Sequence, residues 1–337
     1  MANVLITGGT GFIGTHLVRA LLARGDQVAA LVRDVGRGDG LRKLGVRLVV
    51  GTIEQADKLN DALQGIQVVY HLAGITKTLN TPEFFRINEL GTGLLAQACA
   101  KQPQPPILLI VSSLASAGPS PRGKPRDEAV TPAPVSDYGR SKLGGEIAAR
   151  AVADRVPITI LRPPMVLGPG DKVSVGLFKT IATWHMHFIP GYDRKEYSWI
   201  DARNLVIGML LAVDRGERCT TDAAGKPGQG IYNLADVEQW TYQQLGAAVA
   251  ASLGNPFYLN MRIWTFFMSR AVKWAVIWAK HRETEAPYLN WDKFNEIRTG
   301  DWTCDTNKAR QQLGYVPGDP QTLLNETAAW YREKKWI

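Results

Sequence analysis

Thr7-Gly8-Gly9-Thr10-Gly11-Phe12-Ile13-Gly14 is the stretch that decides the fold. The apolar run Asn3-Val4-Leu5-Ile6 precedes it, and a helical pattern over Gly14–Ala23 follows. Gly8, Gly11 and Gly14 thus stand where a strand turns into a helix. Their lack of side chains permits the tight turn, close approach of backbone to a pyrophosphate, and close helix–strand packing. The helix N-terminus then faces the phosphate charge. Phe12 and Ile13, on the same turn, join the three glycines as candidate cofactor contacts.

Outward from this turn, short apolar runs at 27–32, 46–50, 67–72 and 107–112 alternate with helical periodicity over Ala56–Leu63, Ile87–Ala100 and Tyr138–Ala153. A further strand is expected at Ile158–Leu161. Strands alternating with helices predict an α/β chain with a doubly wound parallel sheet, the Rossmann fold. After Gly168 the alternation weakens. Leu205–Val213 reads as a helix and Ile231–Leu234 as a strand, both able to return to the sheet, and Thr241–Leu253 reads as another helix. The expected division is a dinucleotide-binding domain of 1–167 plus about 203–235, and a smaller, discontinuous substrate domain of about 168–202 and 236–325. Residues 326–337 are expected as a C-terminal tail.

The chain has 337 residues, 45% of them hydrophobic and 21% charged, which is ordinary for a globular protein. Its formal charge of +8 comes without a Lys/Arg block or nucleic-acid motif, so no nucleic-acid partner is expected. Such a field suits an anionic cofactor. Cys99, Cys219 and Cys304 lack metal-site spacing and are expected as reduced thiols. His185 and His187 have no obvious further ligands, so no metal is expected. No signal peptide precedes the first strand, and a cytoplasmic location is the expectation.

Enzymes that use NAD commonly carry an acidic residue at the end of the second strand, against the adenosine ribose. Here that end reads Leu31-Val32-Arg33-Asp34. Val32 takes the acid's place, and Arg33 can bind a 2′-phosphate by charge-assisted hydrogen bonds. NADP(H) is favoured over NAD(H), with Asp34 leaving the second open and Arg37 and Arg42 as weaker phosphate candidates.

Tyr138 and Lys142, in Asp137-Tyr138-Gly139-Arg140-Ser141-Lys142, share a helix face. A lysine ammonium there can lower the phenol's pKa, letting it exchange a proton with a substrate oxygen. After the fifth strand comes Ser112-Ser113-Leu114-Ala115-Ser116, and a serine at that position can hydrogen-bond the reacting oxygen. Ser113 is the first choice, with Ser112 and Ser116 as competitors. Asn88 lies on the preceding helix.

Taken together, these motifs resemble the extended short-chain dehydrogenase/reductase family, also called the epimerase/dehydratase family. The resemblance runs over nearly the whole chain. It takes in His71-Leu72-Ala73-Gly74, Asn88 with Gly91-Thr92, Arg162-Pro163-Pro164, Gly168-Pro169-Gly170-Asp171, Tyr232-Asn233-Leu234-Ala235-Asp236 and Leu313-Gly314-Tyr315-Val316-Pro317. It implies Tyr138 as general acid/base, Lys142 as a nicotinamide-ribose contact that lowers the Tyr138 pKa, Ser113 as orienter of the substrate oxygen, and Asn88 as support for a proton path. Ile53, Leu72, Ala73, Gly74, Pro163 and Val166 become cofactor contacts by the same resemblance. Thr52-Ile53 stands where relatives often have an acid near the adenine, which weakens the adenine contact. A homodimer through the helices of Asn88 and Tyr138 is also implied.

Two departures bear on the substrate. Pro164 stands where sugar-nucleotide enzymes of the family commonly have Asn, and Tyr197 where they often have a pyrophosphate-binding Arg, with Arg194, Lys195 or Arg203 as substitutes in another register. The pattern is nearer the branch that includes 3β-hydroxysteroid dehydrogenase-like and dihydroflavonol reductase-like enzymes. The expected activity is hydride transfer between NADP(H) and a ketone or secondary alcohol on an apolar or aromatic small molecule. Leu114, Met165, Trp184 and Trp199, with Val166 and Phe188, are candidate substrate walls. The alternatives are a nucleotide-sugar epimerase or dehydratase, and a non-catalytic dinucleotide-binding assembly protein. Finally, 257–282 mixes aromatic residues with Arg262, Arg270, Lys273, Lys280 and Arg282. The interrupting charges argue against a transmembrane helix. A helix packed on the small domain is the plainest reading; a wall over the substrate, an oligomer contact and peripheral membrane contact are the others.

Overall fold

The protein's structure, a computed structural model, describes residues 1–191, 194–221 and 225–337. Strands β1 (Asn3–Thr7), β2 (Gln27–Val32), β3 (Arg47–Val50), β4 (Val68–His71), β5 (Ile107–Val111), β6 (Ile158–Arg162) and β10 (Ile231–Asn233) form a seven-stranded sheet in the order β10-β6-β5-β4-β1-β2-β3. Every pair in it is parallel. The order reverses at β1, and in such sheets ligands bind at that switch point, beyond the carboxyl ends of the strands.

Alternate side chains of β1 enter opposite cores, as a strand's two-residue period requires. Val4 and Ile6 join Leu17, Leu21, Leu205 and Met209 on one face. Leu5 joins Leu59, Leu95, Leu108 and Ala149 on the other. Helices Phe12–Ala23 and Ala202–Arg215 therefore cover the first face, and Ala56–Leu63, Gly91–Ala100 and Asp137–Arg150 the second.

Beyond β6 the chain leaves the main sheet earlier than expected. β7 (Met165–Leu167) pairs not with β6 but with β9 (Glu196–Asp201), which also pairs with β11 (Val237–Thr241) in a three-stranded sheet. β8 (Met186–Pro190) and β12 (Leu259–Ile263) form a separate parallel pair. Residues 326–333 are not a tail: they continue the helix Pro320–Glu333, where buried Tyr331 packs edge-on against Phe178 at 5.1 Å between centroids.

Two elements escaped the periodicity. Val35–Lys43 is a helix despite Gly36, Gly38 and Gly40, because the Asp34 side chain caps it, accepting from Arg37 N at 2.8 Å. The expected helix from Ile87 is a composite. It starts as a π-helical turn, Phe85–Leu90, and becomes α-helical at Gly91. Asn88 lies on the π turn, the widened geometry often found at functional sites.

Candidate active site

The glycine turn is packed so closely that side chains are excluded. A Cβ on Gly8, whose φ is +78°, would lie 2.7 Å from Ala73 N, and one on Gly14 would lie 2.3 Å from Gly8 O. Gly11 caps the helix Phe12–Ala23 without a side-chain acceptor. The first backbone N–H groups of that helix consequently remain open to an anion. This cradle fits the pyrophosphate of a dinucleotide.

Beneath it runs a hydrogen-bond chain that the sequence did not reveal. Ala73 N donates to Thr7 Oγ1 (3.3 Å), which is 2.6 Å from His71 Nδ1. His71 Nε2 is 2.9 Å from Thr92 Oγ1, which donates to Asn88 O at 2.7 Å. Because Thr92 uses its one proton on Asn88, Nε2 must donate, leaving Nδ1 to accept from Thr7. Burial, followed by the nearby Lys142 ammonium, pushes the His71 pKa down to about 3, so the ring stays neutral. The chain fixes Leu72-Ala73-Gly74 relative to β1 and the Asn88 helix.

Tyr138 stands in the first turn of the helix Asp137–Arg150. Ser136 caps that helix, accepting from Gly139 N at 3.0 Å. The Asp292 carboxylate, from the distant helix Trp291–Arg298, accepts from Asp137 N at 2.6 Å and Tyr138 N at 2.9 Å. Glu296, one turn later, accepts from Ser136 Oγ at 2.7 Å. The helix Trp291–Arg298 thus grips the Tyr138 helix by its start.

Burial raises the Tyr138 pKa, while a hydrogen bond with Ser113 and the Lys293 ammonium pull it down. Lys293 is a cation near the phenol that the sequence did not single out, and Lys142 Nζ donates to Val111 O at 2.8 Å. Burial lowers the Lys142 pKa to about 8 against the opposing pull of Glu146. Lys142 nevertheless adjoins the expected site, since a Cβ on Gly74 would lie 3.8 Å from its Nζ and 2.9 Å from Asn88 Oδ1. Asn88 is buried and clamps its surroundings: Oδ1 accepts from Ile75 N at 2.9 Å, and Nδ2 donates to Ile75 O and Ser141 Oγ, both at 3.0 Å.

The three serines now separate. Ser112 and Ser116 both donate to the buried Glu146 carboxylate, Ser116 at 2.5 Å. Ser113, whose Oγ accepts from Ala115 N at 3.1 Å, is the one near enough to Tyr138 to lower the phenol pKa. Glu146 also receives Arg162 through Nε at 3.1 Å and Nη2 at 2.5 Å, and both side chains are buried. The signal was present in the sequence, since Glu146 lies four residues beyond Lys142 on the same helix face, but its partners come from three other segments.

Elsewhere the expected residues divide. Arg33 is exposed at the end of β2, and Asp34 is occupied by its cap and an ion pair with Arg37 at 3.3 Å. Ile53 packs on Gly91, its Cδ1 2.6 Å from where a Cβ would stand. Pro163 O accepts from Leu114 N at 2.8 Å, fixing β6 to the Ser113 turn. Leu114 is buried beside Ala235 and Cys304, while Met165, Val166 and Phe188 are half-buried. Trp199 is not a substrate wall. At 1% exposure it belongs to the core of the small domain, 5.8 Å from the Trp240 ring. Trp184, by contrast, is 61% exposed at a helix end.

Tyr197 packs edge-on against Tyr242 at 5.9 Å, and with Ile189, Arg194, Tyr258 and Arg262 it lines a cavity of about 460 Å³ in the small domain. Tyr138 is not among its walls. Arg203 is committed to Asp201 and Glu326. The three cysteines are free and buried, and no cluster able to hold a metal occurs among the described residues.

Comparison with known proteins agrees with this architecture. Sterol demethylase protein B of Methylococcus capsulatus is 28% identical, over 99% of this chain and 100% of that protein. A putative dihydroflavonol 4-reductase of Synechocystis is also 28% identical, over 98% of this chain and 95% of its own. Among solved structures, dTDP-glucose 4,6-dehydratase from Streptomyces venezuelae, determined with NAD bound, superposes with a TM-score of 0.75 at 22% identity, covering 99% of this chain and 98% of that one. The last likeness shows the shared fold. A family model matches residues 4–235. The chain belongs to the NAD dependent epimerase/dehydratase family and is an NAD(P)-dependent enzyme of the extended short-chain dehydrogenase/reductase type.

Proposed function

We propose that this protein is an NADP(H)-dependent oxidoreductase that interconverts a ketone and a secondary alcohol on an apolar or aromatic substrate. The observation that carries the reading is the proximity of Ser113 to the buried Tyr138 phenol, beside the glycine cradle. The bound nicotinamide supplies hydride in reduction and accepts it in oxidation. Ser113 orients the substrate oxygen, and Tyr138 gives it a proton in the reductive direction and recovers it in the oxidative one. Lys142 would hold the nicotinamide ribose, and Asn88 keeps the Ile75 and Ser141 segments in register around it.

Arg33, free of Asp34, supports NADP(H). Substrate class is supported by apolar Leu114, Pro164 and Met165 near the catalytic turn and by the names of the sterol and flavonoid relatives. The sugar-nucleotide alternative is disfavoured at two of its candidate positions, because Arg203 is held by two carboxylates and Tyr197 is in an aromatic pair, while Arg194 lines the cavity beside Tyr197. Leu90 and Ile147, exposed on the helices carrying Asn88 and Tyr138, support a homodimer through that face. The test is NADPH oxidation over a panel of steroid and aromatic ketones. The wild type turns over at least one of them, and Tyr138→Phe loses at least about a hundredfold of kcat with little change in NADPH affinity. Sugar isomerisation without net cofactor change would overturn the proposal.

A further inference from the structure

The helix Thr265–His281 has one face that the protein does not cover. Met268 and Val272 pack on Phe294 of the helix Trp291–Arg298, with Ile263, Val276, Leu289 and Ile297 around them. The opposite face carries Phe266, Phe267, Trp274, Ile277 and Trp278, which recur at helical spacing on one side. Phe267 is 62% exposed, Trp274 69% and Trp278 58%. The approach to the helix continues the pattern with exposed Phe257, Leu259, Met261 and Trp264. So many exposed large apolar side chains along one segment mark an interaction site.

Charge identifies the occupant. Between Phe257 and Arg282 there are five cations, Arg262, Arg270, Lys273, Lys280 and Arg282, and no Asp or Glu. The cations do not sit on a separate face. The Arg270 guanidinium lies over the Phe266 ring at 5.0 Å, and that of Arg282 over the Trp278 ring at 5.9 Å. Aromatic rings with cations beside them match the boundary between acyl chains and headgroups, where rings enter the chains and cations meet phosphate. A symmetric dimer through this face would set the same cations against one another, which disfavours a second copy. No described helix is long and apolar enough to cross a membrane, so the contact lies in the surface plane.

We propose that the outer face of the helix Thr265–His281, with the segment entering it, docks on a lipid bilayer bearing anionic headgroups. The docked helix rests on the helix Trp291–Arg298, whose Asp292 and Glu296 hold the start of the Tyr138 helix. The membrane is thereby one helix away from the element that carries the phenol. The inference concerns attachment and holds whichever ketone is reduced.

The test is co-flotation of the full chain with phosphatidylcholine vesicles and with equal mixtures of phosphatidylcholine and phosphatidylglycerol, together with quenching of tryptophan fluorescence by brominated acyl chains. Binding should be at least about tenfold tighter to the anionic vesicles and should weaken as salt rises. Trp274→Ser combined with Trp278→Ser should abolish the quenching, and Arg270→Glu combined with Lys273→Glu should abolish the anionic preference. Both pairs are exposed, so each variant should keep the wild-type melting temperature and its turnover of a water-soluble ketone. Equal binding to both vesicles, no quenching, or a concentration-dependent dimer that the tryptophan variant dissolves would overturn the proposal. Flotation is read without turnover, so it fails or succeeds independently of the oxidoreductase reading.

Discussion

At the scale of the residue, neutral His71 and exposed Arg33 lead to separate tests. The folded pKa of His71 is about 3 against an ordinary 6.5, so the unfolded chain takes up a proton first as the pH falls. The residue's stabilising effect is full above pH 6.5, and it is lost progressively as the pH falls below that toward the folded pKa. Urea denaturation near pH 7 and at about pH 5.5 should show this loss in the wild type, and His71→Gln should flatten it; His187, also lowered by burial, leaves a residual slope of the same sign. For Arg33→Ala, fluorescence titration should show NADPH affinity falling at least about tenfold with little change for NADH, the loss of a charge-assisted bond to the 2′-phosphate. The glycine turn and the placing of Tyr138 and Lys142 on one helix were legible because each depends on near neighbours. The His71 tautomer and the division of labour among Ser112, Ser113 and Ser116 were not, since each is decided by partners from other strands and helices.

At the scale of the element, the helix Asp137–Arg150, capped locally by Ser136, gains a second acceptor for its first N–H groups from Asp292, 154 residues beyond Tyr138. Asp292→Ala removes acceptors from two backbone N–H groups at the helix start, and chemical denaturation should show a loss of about 1–2 kcal/mol. The same variant should lower kcat more than it alters NADPH affinity, because the first turn that it loosens carries Tyr138 while the glycine cradle is untouched. No local pattern announces such a cap. The helix Val35–Lys43 was hidden for a different reason: three glycines lower its propensity, and only the Asp34 side chain reveals the start. The π turn at Phe85–Leu90 adds one residue per turn without altering the apolar period enough to be read. Trp199 was misread because an aromatic residue in a half-buried strand looks the same from sequence whether it faces a ligand or a core.

At the scale of the whole molecule, the parallel order was legible because strands and helices alternate through the first half of the chain. Where they stop alternating, pairing partners come from far apart, as β7 with β9 and β8 with β12, and period alone cannot assign them. The resulting architecture brings three parts to one end of the main sheet: the glycine cradle from its first turn, Ser113 from the end of β5, and Tyr138 on a helix steadied by the small domain. The central claim is that these parts deliver a hydride and a proton to an apolar carbonyl. The most direct measurement supplies NADPH carrying deuterium at the transferable position with an apolar ketone, and follows the label by mass spectrometry of the alcohol. The account predicts deuterium on the carbinol carbon with the wild type and almost none with Tyr138→Phe. Label transfer undiminished by that substitution, or absent across the ketone panel while NADPH binds, would contradict it.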